Sequence, residues 1–212
     1  MTTLPKVGIV DYGMGNLWSL TSALTHVGAH VVLVDRPDDL PHFSHLVLPG
    51  VGSFRRASER LAESGLGAAI VDRVNRGGSV LLGICLGMQL MGAGSPEDGW
   101  SPGLNLVPVA TDRFHDQEVE HRRIPHIGFA ATRFPQGNRG LFAGLHETTD
   151  FYFVHSYRML VEGDLGATAV CDYGVSYLAG FDRGNVCATQ FHPEKSQQQG
   201  LHLLRNFVDR KP

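Results

Sequence analysis

The chain has 212 residues, of which 42% are hydrophobic and 18% charged, with a formal net charge of −3. This is ordinary globular composition with enough length to bury a sizeable core as one domain, and it excludes a disordered, short-repeat or low-complexity protein. Slight acidity also argues against capture of nucleic acid, whose phosphates demand clustered Lys and Arg; the "HRR" at 121–123 is too short to supply them.

The amino terminus, "MTTLPKVGIVDYG", has one Lys and a short apolar run closed by Asp11, so it lacks the apolar region of a signal peptide. The longest mainly apolar stretch, 80–94, is shorter than the roughly 20 residues a membrane helix needs. A cytoplasmic protein is expected. The run 7–10 predicts the first strand, and "DYGMGNLW" follows it. Gly13, Gly15 and an Asp35 some 20 residues beyond Gly15 invite a dinucleotide-binding reading. The third glycine position is Trp18, however, and an indole there would crowd the helix–strand approach. A structured loop near the active edge is expected instead.

The stretch 16–27 places Leu17, Leu20, Ala23, Leu24 and Val27 on one helical face. Apolar runs at 31–34, 46–48 and 80–84 read as buried parallel strands, and "SFRRASERLAESG" at 53–65 as a helix with a Ser53 N-cap ending near Gly65. Between the third strand and this helix lies "PGVG", 49–52. Glycines ahead of a helix amino terminus expose backbone N–H groups, so Gly50 and Gly52 suggest an oxyanion site, with a plain tight turn as the alternative.

The next strand, "SVLLGI", runs into "CLGMQLMG". A strand, then Gly-x-Cys-x-Gly, then a helix is the nucleophile-elbow pattern with sulfur in place of oxygen. The turn forces the nucleophile into a crowded conformation, so Gly83 and Gly87 supply the missing bulk where strand and helix pack. A helix amino terminus also favours a thiolate. From this motif alone Cys85 is open to two readings, nucleophile or small buried filler.

After Trp100 the texture changes to short strand-like runs at 104–114, 127–134, 151–160, 166–174, 175–184 and 185–192, separated by Gly, Pro, Asn and Asp. The chain closes with a predicted helix over 197–208. In "TQFHPEKS", His192 and Glu194 end a strand, and in an extended segment residues i and i+2 share a side. Glu194 would then hold the His192 imidazole while His192 exchanges a proton with Cys85. The three cysteines, Cys85, Cys171 and Cys187, are odd in number and far apart, which suits free thiols. The eleven histidines show no metal-ligand spacing, so no metal and no cofactor are expected. The predicted fold class is α/β: a mainly parallel, doubly wound central sheet flanked by helices, with antiparallel hairpin additions in the second half and ligand sites at the carboxyl ends of strands.

"PGVGSF", "LGICLGMQL", "FYFVHSY" and "FHPEKS", in this order, resemble a class I glutamine amidotransferase over nearly the whole chain. Within that class "DYGMGNL", "PHIG" at 125–128 and "HPEKS" are most similar to the glutaminase subunits of imidazole glycerol phosphate synthase, an enzyme of histidine biosynthesis. The resemblance implies that Cys85 attacks the side-chain amide of L-glutamine, that His192 is general acid and base, and that Glu194 orients it. It implies oxyanion-hole amides from Gly52 and Leu86, and a glutamine pocket at Gly50, Gln89, Tyr152, His155, Ser156 and Tyr157. It further implies a heterodimer with a (β/α)8-barrel cyclase that receives the ammonia, with Asn16, Pro125, His126, Phe129 and Lys195 near the interface. Where the family usually reads "PHMGWN", this chain reads "PHIGFA", so Phe129 and Ala130 replace a Trp and an Asn. A related amidotransferase feeding a different barrel synthase, for example one for sugar amidination, would keep the same triad and change such contact residues.

Overall fold

A computed structural model describes residues 4–211. Its first half alternates strands and helices: β1 (Lys6–Val10), α1 (Leu17–His26), β2 (His30–Val34), β3 (His45–Leu48), α2 (Phe54–Glu63), α3 (Leu66–Asn75), β4 (Val80–Ile84) and α4 (Leu86–Leu90). The second half is strand-rich: β5 (Gly94–Ser95), β6 (Ser101–Pro102), β7 (Thr111–Arg113), β8 (His126–Arg133), β9 (Thr148–His155), β10 (Tyr157–Met159), β11 (Ala167–Tyr173), β12 (Val175–Arg183) and β13 (Val186–Thr189). Helix α5 (Gln197–Val208) closes the chain.

One 11-stranded sheet runs in the order β2-β1-β3-β4-β13-β12-β11-β8-β9, and β10 bridges β12 to β7. The strands from β2 to β13 pair in parallel. Beyond β13 every pairing along the path is antiparallel. The parallel block is buried on both sides, which is why β3 and β4 read as uninterrupted apolar runs. A core containing Leu20, Leu24, Phe207 and Phe153 lies in one cluster, and a second contains Phe54, Leu61, Ile70 and Met88.

Helix α2 is built as its sequence suggests: the Ser53 side chain accepts from Arg56 N, and Phe54, Ala57 and Leu61 are buried. Full burial of a Phe or Leu is worth roughly 1.5–3 kcal/mol. The helix ends at Glu63 with Ser64 as its C-cap, and the left-handed Gly65 (φ +72°) that follows leads directly into the separate helix α3. Leu66, Ile70 and Val74 of α3 are buried at a four-residue spacing, a helix the sequence reading did not assign.

The run 104–114 is mostly not a strand; only Thr111–Arg113 pairs. Leu104 N instead donates to Leu90 O, and the amides of Leu106 and Val107 donate to Met91 O. Its apolar side chains are buried or half-buried, but its N–H groups satisfy the carbonyl end of α4, whose last turn has no partner within the helix. The Trp18 indole is 81% exposed on α1, outside any close helix–strand approach. The loop before it reaches the active edge as expected, because Tyr12 Oη donates to Pro49 O at 2.8 Å. Among the described residues no helix is long and apolar enough to cross a membrane.

Candidate active site

The strand order makes β3, β4 and β13 consecutive neighbours, all pointing the same way. Their carboxyl ends therefore release three segments side by side: the "PGVG" loop, the Cys85 turn, and the segment carrying His192. Sites at the carboxyl ends of a parallel sheet are expected where its connections diverge.

Cys85 sits at φ +55°, ψ −109°, a conformation that L-residues avoid, with its N–H donating to Thr189 O at 2.7 Å. The flanking glycines are required by space. A Cβ on Gly87 would collide with the Leu48 carbonyl, and one on Gly83 would lie 2.9 Å from Met88 N. Helix α4 has only five residues, so what it offers the sulfur is its first free N–H groups rather than a long-helix field. The thiol is 6% exposed, and Sγ lies 3.9 Å from Val154 O.

His192 is buried, and its Nδ1 lies 2.8 Å from Glu194 Oε1, with the carboxylate also nearly buried. The expected extended geometry is not what brings them together. Pro193–Lys195 forms a 3-10 turn, which carries Glu194 back under the imidazole. That turn is fastened to β9: His192 N donates to Tyr152 O, while the Ser196 hydroxyl donates to His192 O and accepts from Tyr152 N. Burial by itself would lower the imidazole pKa, but the neighbouring Cys85 sulfur and Glu194 carboxylate outweigh it and push the value up to about 10. Among the described residues Nε2 has no hydrogen-bond partner. Catalytic hydrogen bonds are often loose before substrate arrives.

A cleft of about 300 Å³ opens over these groups, lined by Gly52, Cys85, Leu86, Gln89, Pro125, His155, Ser156, Tyr157 and His192, and also by Glu97. Larger hollows exist elsewhere, one between α2 and α3, but no thiol or imidazole lines that one. Gly52 adopts φ +101°, which turns the loop over the cleft. His155 is neutral and fixed: burial first, then the surrounding charges, holds its pKa down to about 3, and its Nδ1 lies 2.8 Å from Tyr157 O.

Some expected residues lie elsewhere. Gly50 is buried behind the loop, where a Cβ would meet Tyr12 Oη and Leu86, so it supports the cleft without lining it. Tyr152 points its ring away from the cleft, edge-on to Phe129 at 5.5 Å and beneath the Lys195 ammonium at 5.8 Å. Only its backbone serves the site. His126 is not a surface contact: it is 3% exposed, stacked on Tyr173 at 3.9 Å and Phe153 at 5.0 Å, and its Nδ1 lies 3.1 Å from Tyr177 Oη. Pro125 lines the cleft mouth. Asn16, Phe129 and Lys195 are exposed, and Asn16 caps α1 by accepting from Ser19 N.

Two residues were not singled out from sequence. Glu97, in a Gly/Pro-rich loop, accepts a hydrogen bond from Phe54 N and brings a carboxylate to the cleft. Gln190, fully buried, donates to Cys85 Sγ at 3.7 Å. Its one sequence signal is a polar residue inside the apolar run before His192. Among the described residues no group of three or more His, Cys, Asp or Glu is arranged to hold a metal ion.

A thiol held on a strained turn, a protonatable imidazole braced by a carboxylate, and a cleft that opens over both together suit acyl transfer through a covalent thioester. The chain matches the model of the class-I glutamine amidotransferase family over residues 8–211. It is 41% identical to the imidazole glycerol phosphate synthase subunit HisH of Moorella thermoacetica, over 95% of this chain and 93% of that one. It is also 41% identical to the subunit of the same name from Deinococcus radiodurans, over 96% and 93%. Among solved structures it resembles a glutamine amidotransferase at TM-score 0.73 and 19% identity, covering 96% and 97%, and PurLQS from Thermotoga maritima at TM-score 0.73 and 16% identity, covering 98% and 99%. Those two likenesses concern the fold.

Proposed function

Because the chain belongs to the class-I glutamine amidotransferases, we propose that it is the glutaminase subunit of an imidazole glycerol phosphate synthase of histidine biosynthesis, a single amidotransferase domain acting with a (β/α)8-barrel cyclase. The observation that carries this reading is the meeting of Cys85, His192 and Glu194 at the ends of β4 and β13 beside a cleft sized for an amino acid.

The chemistry follows from the geometry. Glutamine enters with its ammonium toward Glu97 and its side-chain amide over Cys85. Sγ attacks the amide carbon, and the oxygen that gains charge is met by the N–H groups of Gly52 and Leu86. His192, kept basic by its neighbours, carries the proton to the leaving nitrogen through its open Nε2. The C–N bond breaks, ammonia departs, and a γ-glutamyl thioester remains on Cys85. Water then attacks, His192 takes its proton, the C–S bond breaks and glutamate is released. Glu194 keeps the imidazole in one tautomer throughout.

Ammonia is passed to the cyclase, which forms imidazole glycerol phosphate and aminoimidazole carboxamide ribotide. The exposed face of Phe129, Tyr152 and Lys195 supplies an aromatic and a cation on the side where the triad turn meets the surface. The deciding experiment is co-purification with the cyclase encoded in the same genome and assay on its formimino-carboxamide ribonucleotide. Glutamine-dependent formation of both products supports the reading. Glutaminase activity that this cyclase and nucleotide never stimulate would point to the alternative, a different acceptor synthase.

A further inference from the structure

Gln190 is 0% exposed, and a buried carboxamide is costly unless its donors and acceptor are satisfied. Its backbone N–H is used by Ala179 O at 2.8 Å, so the side chain alone remains to be explained. The Gln89 Nε2 donates both to Tyr157 O and to Gln190 Oε1, each at 2.9 Å. Both Gln89 protons are thereby committed, and its orientation is set, since flipping the amide would place oxygen against the Tyr157 carbonyl. Gln190 Oε1 must then be the acceptor. Its Nε2 is left to donate, and the group it meets is Cys85 Sγ at 3.7 Å. Gln89 thus donates both ways, to the Tyr157 carbonyl and to Gln190, and Gln190 donates onward to sulfur.

We propose that Gln190 is a positioning residue for the nucleophile: its amide, aimed by Gln89, donates to the Cys85 sulfur and favours its thiolate, so that a residue lining the cleft sets the reactivity of the thiol. Donation to an ionised acceptor is stronger than to a neutral one, so the bond selects the charged form. This inference rests on the nucleophile reading above, and it adds a residue that touches neither substrate nor the reacting carbon.

The test is the pH dependence of Cys85 alkylation by iodoacetamide in the full chain, with labelling resolved by peptide mass spectrometry from Cys171 and Cys187. Q190M removes the donor at similar volume. Its alkylation midpoint is expected to rise by half a pH unit or more, about threefold slower labelling below the midpoint, with an unchanged plateau at high pH. Glutaminase kcat should fall with little change in KM. Q89M leaves Gln190 in place and removes only its orienting partner, so it should move the midpoint in the same direction by less, and it decides the matter if Q190M does not fold. A midpoint unmoved in the folded variants overturns the proposal and leaves Gln190 a packing residue. A wild-type Cys85 that resists alkylation at every pH would instead overturn the nucleophile reading itself.

Discussion

The Nδ1 of His192 and the Oε1 of Glu194 lie 2.8 Å apart across a single 3-10 turn, both side chains at least 96% buried. At that depth the carboxylate has few competitors for the imidazole, and its second oxygen has no hydrogen-bond partner among the described residues. Glu194→Gln keeps the shape but lets the ring adopt the wrong tautomer. Glutamine-dependent kcat should fall by about 100-fold or more, while KM changes little. Steady-state glutamate release in the presence of the cyclase measures this, and a loss under fivefold would remove Glu194 from the mechanism.

Cys85→Ala should abolish glutamine-dependent turnover and leave the cyclase's use of ammonium salts intact, because the proposed function puts the two reactions on different subunits. The paired assay is product formation with glutamine and with ammonium. Loss of both activities in a complex that still assembles would contradict the division of labour.

Gly87→Ala tests the close approach of α4 to β3. The added methyl would overlap the Leu48 carbonyl oxygen, which is backbone and cannot swing aside. Destabilisation of more than about 2 kcal/mol is expected, read as a drop in Tm. An unchanged Tm would mean that the elbow tolerates bulk.

His126 and His155 give the acid limit of stability a definite sign. Burial pushes their pKa values down to about 4 and about 3, below the ordinary 6.5. The unfolded chain therefore binds protons first as pH falls, and stability is lost progressively from about pH 6.5 down toward 4. His126→Phe keeps the stack on Tyr173 and Phe153 but removes one titrating group. Its Tm should be slightly lower than wild type at pH 7.5 and should fall less steeply between pH 6.5 and 4.5. Parallel Tm profiles would refute the assignment.

Phe129→Ser and Lys195→Ala change the exposed face without touching the cleft. Each should weaken assembly with the cyclase, by about tenfold or more for the aromatic, with Cys85 alkylation by a glutamine-analogue electrophile in the isolated chain unchanged. Titration calorimetry with the cyclase separates the two effects. Wild-type affinity in both variants would place the interface elsewhere.

Much of the site was legible locally because its chemistry is written at short range. The elbow needs glycines two residues either side of Cys85, and the imidazole and carboxylate proposed as base and orienting group are neighbours in "HPE". Glu97 and Gln190 were not legible as site residues, since a carboxylate in a Gly/Pro-rich loop and a polar residue in an apolar run do not by themselves name a role. Glu97 matters only where its loop meets the amino end of α2, and Gln190 only where β13 lies beside β4. Tyr152 and His126 were misplaced for a related reason. Adjacent residues on a strand face opposite sides, so a motif such as "FYFVHSY" contains both cleft and outer-face residues, and register alone separates them.

By itself the sequence determined most of the parallel block and the candidate reactive groups: apolar runs bounded by turn residues that read as buried strands, a cap at Ser53, a Gly-x-Cys-x-Gly turn, and a neighbouring imidazole and carboxylate. Tertiary structure decided which of those groups meet. Cys85 and Gln190, 105 positions apart, become neighbours because β4 and β13 pair in parallel with Ile84 opposite Thr189. Propensity and periodicity act over a few residues, whereas that register is set by the packing of the whole sheet.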